Sequence, residues 1–152
     1  MKFVTRVLIH LFVLLSPVLA YAEKQPELGK YPSVFTSSDG HTVTMLRLGK
    51  DDSTMLIKVD GIDNDFDGKI FKHTKICENT NCTTYKYETK EIPGKERWWT
   101  VRSSNSYGSY DDMSLYPPGV NKKSSIGASR RPDSFDAKNF YQQYLGERAL
   151  VK

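Results

Sequence analysis

Residues 61–68 place Asp63, Asp65 and Asp67 at alternate positions ahead of Gly68. This is the opening of a D-x-D-x-D-G calcium loop, in which alternate carboxylates converge on a hard cation and the glycine permits the sharp turn. Ile70 falls where such a loop returns to a hydrophobic residue. Thr74, however, stands where the bidentate glutamate belongs, and a strand pattern follows in place of a helix. The competing reading is a solvated turn between strands, with Asp and Gly serving backbone geometry. If calcium binds, its ligands are Asp63, Asp65, Asp67 and the Lys69 carbonyl, with water completing the shell. Calcium is the one cofactor the sequence offers.

Two cysteines, Cys77 and Cys82, flank the turn-like residues 78–81 within a pair of strand-like runs spanning 69–91. A four-residue loop would set Cys77 directly opposite Cys82, close enough to bridge. That register gives Ile76 opposite Thr83, Thr74 opposite Tyr85, Lys72 opposite Tyr87 and Ile70 opposite Thr89, a face of β-branched and aromatic residues. Lys75, His73, Lys86 and Glu88 then form a wet face. Two free thiols or a metal pair compete with the disulfide, but the chain has no further cysteine and carries an export-type leader, which favours the disulfide. The overlapping triplet Asn81-Cys82-Thr83 is formally a glycosylation acceptor, with meaning only in a eukaryotic secretory host.

Catalytic constellations are missing at the level of motif. Beyond the leader the histidines are His41 and His73, and neither has zinc spacing or a neighbouring nucleophile motif. No G-x-S-x-G elbow occurs. Asp111-Asp112 could do acid–base work in a cleft, though solvated loop charge is the commoner role of such a pair. Aromatic residues carry more information. Trp98 and Trp99 are adjacent in an alternating run, residues 97–102, so on a strand they point to opposite faces. One can enter the core; the other is covered by another segment or joins a contact surface with Arg97 and Arg102. Residues 103–119 are rich in Ser, Tyr, Gly and Asp, and Tyr107, Tyr110 and Tyr116 supply amphipathic area as in binding loops.

The elements that hold these residues are mainly strands. Residues 1–22 have Lys2 and Arg6, an apolar run from Val7 to Leu19 and an Ala20-Tyr21-Ala22 ending, which reads as a cleaved signal peptide too short to anchor in a membrane. Cleavage leaves about 130 residues, the size of one domain, with 20 basic against 18 acidic residues. So small an excess gives no ground for a nucleic-acid partner. Residues 23–30 read as a flexible lead-in, and residues 31–152 as a single β-rich domain. Residues 31–35 and 42–48 suggest a first hairpin, and residues 54–60 alternate as a half-buried strand. Residues 121–132 read as a basic, irregular linker. The chain closes with a helix capped by Asp133 or Ser134, with Asp136 in its first turn and Phe140, Tyr141, Tyr144 and Leu145 as its apolar stripe. Gly146 is the residue at which it would fray.

The pattern predicts an α+β fold: a small, mainly antiparallel sheet of about six strands in meander order with one C-terminal helix, the alternative being a small β-barrel or sandwich. Function is expected to be that of an exported, periplasmic or secreted binding protein of the bacterial envelope. It would contact another envelope or extracellular protein as an inhibitor or immunity protein, with no transmembrane segment in the mature chain. A small secreted hydrolase assisted by calcium is the second expectation.

Overall fold

In the paired strands β2 (Thr42–Arg47) and β3 (Thr54–Asp60), Val43 lies opposite Val59 and Met45 opposite Ile57. Leu46, opposite Leu56, belongs to a second apolar cluster. Successive strand residues face opposite sides, so this ribbon is apolar on both and must be covered twice. The computed structural model describes residues 25–104 and 113–150, and in it both demands are met. Eight strands, β1 (Ser33–Ser37), β2, β3, β4 (Ile70–Cys77), β5 (Thr84–Thr89), β6 (Trp98–Ser104), β7 (Met113–Leu115) and β8 (Ser124–Ala128), run up and down in chain order. β8 pairs with β1 to close the barrel, Phe35 lying opposite Ala128. Val43, Met45, Ile57, Val59, Tyr87, Val101, Leu115 and Ile126 fill the inside. Outside, helix α1 (Ala137–Ala149) lays Phe140 and Tyr144 on Leu46, Leu56 and Ile70.

Meander order and the C-terminal helix were expected; an open sheet of six strands was not what formed. The barrel held as the alternative is the fold, because β7 and β8 complete the wall. Both lie in stretches read as loop or linker, yet Met113 and Leu115 in β7, and Ser124 and Ile126 in β8, alternate inward. The helix begins later than expected: Asp136, not Asp133 or Ser134, is its N-cap and accepts a hydrogen bond from the Asn139 N–H at 3.0 Å. It also continues through Gly146 to Ala149. Of its predicted stripe, Phe140 and Tyr144 are buried, Tyr141 is half-buried and Leu145 is exposed.

The β4–β5 hairpin departs from its predicted register by three residues. Cys77 lies opposite Tyr85 and Ile76 opposite Lys86, so the disulfide between Cys77 and Cys82 forms within the connecting loop rather than across the ladder. Asn79 builds that loop: its Oδ1 accepts from the Thr83 and Thr84 N–H groups at 2.9 and 3.2 Å. An odd shift turns over every side chain of β4. Phe71 and His73 therefore enter the interior, and Thr74 and Ile76 face out. His73, predicted wet and opposite Lys86, is buried.

β4 pairs with β5 only from Thr74 onward, which leaves backbone donors at its start unpaired by the sheet. Two carboxylates take them. The Ile70 N–H donates to Glu147 Oε2 and the Lys72 N–H to Glu91 Oε2, both at 2.8 Å. Glu91 Oε1 also accepts from the Tyr144 hydroxyl at 2.7 Å, so α1 is fixed to this gap. Burial, then the hydrogen bond to Glu91, pushes that hydroxyl up from its usual range and keeps it a donor. Arg148 lies over the Phe71 ring at 5.0 Å and donates to the Glu91 carbonyl.

The lead-in is tied to the barrel over its last residues. Leu28 bridges Leu48, the Gly29 N–H donates to the Arg47 carbonyl and the Gly49 N–H donates to the Glu27 carbonyl.

Candidate functional site

The wall formed by β5, β6 and β7 carries an exposed tryptophan, Trp99. Tyr85 and Tyr87 belong to the inner cluster, which leaves Lys86 and Glu88 for the outer face. A bulge then sets the positions on β6: Tyr87 faces Val101 but Glu88 faces Trp99, so Thr100 has no partner of its own. Bulges re-aim side chains and bend the strand. Here Thr100 and Val101 are both buried, while Trp99 keeps 40% of its surface exposed.

Around Trp99 the neighbours are defined. Lys86 Nζ lies 4.6 Å from the centre of its ring, and Tyr116 meets it edge-on at 6.4 Å. Trp98 is half-buried, its indole N–H donating to the Tyr116 carbonyl at 3.0 Å. Lys86 is 3.9 Å from Glu88, and Arg102 Nε donates to Glu78 at 2.7 Å. Opposite Arg102 lies Ser114, and opposite Ser114 lies Ser125. The result is a sheet face with one large ring among ion pairs and hydroxyls. Among the described residues, α1 packs on the outer residues of β2, β3 and β4 instead.

Of the predicted contact residues, the structure brings together Trp98, Trp99 and Tyr116, with Arg102 on the same strand. Arg97 precedes β6, is exposed and lies 3.5 Å from its neighbour Glu96. Tyr107 and Tyr110 lie outside the described residues. Sequence reasoning missed Lys86 as a companion of Trp99. Its outward direction was legible from the alternation of Tyr85 and Tyr87, but its place over the ring depends on the bulged pairing of β5 with β6.

Of the predicted calcium ligands Asp63, Asp65, Asp67 and Lys69, all four are exposed and Asp67 has hydrogen-bond partners in its own turn. Asp67 Oδ1 accepts from the Gly61 and Ile62 N–H groups at 2.6 and 3.2 Å, which makes it a cap of its own turn. Asn64 organises the rest: its Oδ1 accepts from the Phe66 N–H and its Nδ2 donates to the Pro118 carbonyl, both at 2.8 Å. Asp63 and Asp65 are exposed, and Asp63 has a left-handed backbone with φ of 46°. Among the described residues no three carboxylates, cysteines or histidines gather as a cation site. The loop instead sends Ile62 and Phe66 into the barrel end, with Phe66 edge-on to Phe71 at 6.2 Å.

His73 and Thr100 have the atoms of a base and a hydroxyl nucleophile, with Nε2 and Oγ1 2.7 Å apart. His73 Nδ1 lies 2.9 Å from the Phe71 carbonyl, an acceptor, so the proton belongs on Nδ1 and Thr100 donates to Nε2. Burial pushes the imidazole down to about 4, against a smaller upward pull from the Phe71 carbonyl. Ile57, Val59, Phe66, Phe71 and Pro118 close around the pair and leave no room for a water molecule. Both residues are 1% exposed, and their hydrogen bond ties β4 to the bulged position of β6. Asp111 and Asp112 lie outside the described residues. No family model matches the chain, and no curated protein or solved structure is significantly similar to it.

Proposed function

We propose that the chain is an exported protein that works by surface contact with another protein of the bacterial envelope or exterior, as an inhibitor or immunity protein does. The observation that carries this reading is Trp99, held 40% exposed on a bulged strand. Exposed tryptophans next to arginine and tyrosine are the residue types on which interface energy concentrates. The barrel interior offers no comparable opportunity, since apolar side chains and the enclosed His73–Thr100 pair fill it. A leader of signal-peptide type and the Cys77–Cys82 disulfide support an oxidising destination.

The test is affinity capture from envelope extract on the mature chain and on Trp99→Ala in parallel, with mass spectrometry of the retained proteins. A protein held by the parent and lost by the variant, at equal melting temperature, is the expected result. Identical retention by both would remove Trp99 and this face from the function.

A further inference from the structure

Among the described residues, the lead-in segment at Leu28 uses one backbone edge and leaves the other open. Leu28 bridges Leu48, and the flanking bonds run from the Gly29 N–H to Arg47 at 2.9 Å and from the Gly49 N–H to Glu27 at 2.7 Å. In an antiparallel pair bonded this way, the N–H and C=O of the central residue point away from the partner strand. Leu28 therefore directs both groups away from Leu48, and among the described residues no hydrogen bond engages them. The seam between β1 and β8 explains why. Ser129 makes the last backbone bond between them, to Val34, after which the chain departs toward α1 and, among the described residues, nothing pairs with the outer edge of the lead-in.

The departure opens a groove of about 750 Å³ between residues 25–30 and residues 134–138. Pro26, Leu28, Phe135 and Ala137 supply its apolar lining, with Lys30 and Lys138 beside them. Asp136 is the one carboxylate in this lining, and Glu27 lies beside it. Glu27 pairs with Arg47, and Asp136 caps α1. Lys30 and Lys138 have no ion-pair partner among the described residues, and Arg131 joins Lys30 over the exposed Tyr31 ring, at 6.0 and 5.0 Å. The groove thus combines an open backbone edge, apolar lining and an excess of positive charge, Lys30 and Lys138 against Asp136.

We propose that this groove takes an extended acidic peptide segment of a partner protein, which adds to Leu28 as a further strand. Main-chain pairing supplies affinity in this mode, and the pockets for alternate side chains supply selectivity. Open edges of this kind are templates for such pairing. Charge complementarity selects an acidic occupant, and it disfavours this chain's own first 24 residues, which carry Lys2, Arg6 and Lys24 against the single acid Glu23. The proposal uses different residues from the Trp99 face and stands independently of it.

The test is fluorescence anisotropy of a labelled, end-blocked hexapeptide alternating valine and glutamate, titrated with the mature chain. The glutamate peptide should bind, and binding should weaken at least about tenfold for each of three changes: lysine in place of glutamate, N-methylation of the peptide amides, and Lys30→Glu with Lys138→Glu in the protein. Both lysines are exposed, so the double variant keeps its fold, checked by melting temperature. Hydrogen exchange at the Leu28 amide should slow in the complex. Equal binding of the glutamate and lysine peptides, equal binding after N-methylation, or unchanged exchange at Leu28 would overturn the proposal. Adsorption to phosphatidylglycerol vesicles without peptide binding would assign the charge to a lipid surface and overturn it as well.

Discussion

Acidification should weaken the barrel through His73. Its imidazole titrates near 6.5 in the unfolded chain and is pushed down to about 4 by burial in the fold. Between those values the unfolded chain takes up a proton that the folded chain refuses, so stability falls as pH falls. The loss begins near pH 6.5, accumulates toward about pH 4, and is absent above that window, where both states are neutral. At about 1.4 kcal/mol per tenfold step it amounts to about 3 kcal/mol, a large share of the 5–15 kcal/mol typical of a domain. Among the described residues no carboxylate lines the enclosure to hold the added charge, and Lys69 is the one charged residue there. The assay is urea unfolding of the parent and of His73→Gln across this range, since the variant keeps a donor and an acceptor but does not titrate. The stability difference between them should change by about 3 kcal/mol from about pH 7.5 to about pH 4, while the carboxylates common to both cancel. A difference constant to within about 0.5 kcal/mol would refute the reasoning, because it would mean that the imidazole accepts its proton equally well in both states.

Three further perturbations address the scaffold. Glu91→Gln weakens acceptors used by the Lys72 N–H and the Tyr144 hydroxyl, and should lower stability by about 1–2 kcal/mol in the same urea assay. Gly119→Ala should cost about 1–2 kcal/mol, since Gly119 has φ of +76° and an added Cβ would lie 3.0 Å from Asn64 and 3.3 Å from the Phe66 ring; a melting temperature equal to that of the parent would contradict it. Reduction of Cys77–Cys82, only five residues apart, should cost less than the roughly 3 kcal/mol of a 15-residue loop, read as the melting temperature with and without reductant.

The strands that alternate cleanly were legible from the sequence. β3 lies where Met55, Ile57 and Val59 alternate with polar residues, and β5 turns Tyr85 and Tyr87 inward as expected. Leu56, an apolar residue among the polar positions Thr54, Lys58 and Asp60 of β3, marks where α1 lands on the barrel. β7 and β8 escaped because Ser and Gly dominate their neighbourhood, and a short strand with two inward apolar residues, as in β7, or one, as in β8, carries little pattern of its own. Barrel closure depends on those two strands, so it could not be read either. The hairpin error came from assuming that bonded cysteines face each other across a ladder. Asn79 and the left-handed Cys82, with φ of 51°, instead close the disulfide inside a longer loop. That one assumption sent His73 to the wrong side. The contact residues Trp98, Trp99 and Tyr116 were legible as types, but which tryptophan stays exposed depends on the bulge at Thr100. The Asp63–Asp67 spacing drew attention to a cation, and the hydrogen bonds show Asp67 occupied with backbone N–H groups.

The claim that this barrel works by contact through its outer β5–β7 face is tested most directly on Trp99. The measurement is the affinity of a captured partner for the parent and for Trp99→Ala, together with both melting temperatures. The account predicts a loss of binding of about 2 kcal/mol or more, roughly thirtyfold, with a melting temperature unchanged because the ring is exposed outside the core. Equal affinity, or a loss of binding that appears only alongside a fall in melting temperature, would contradict it.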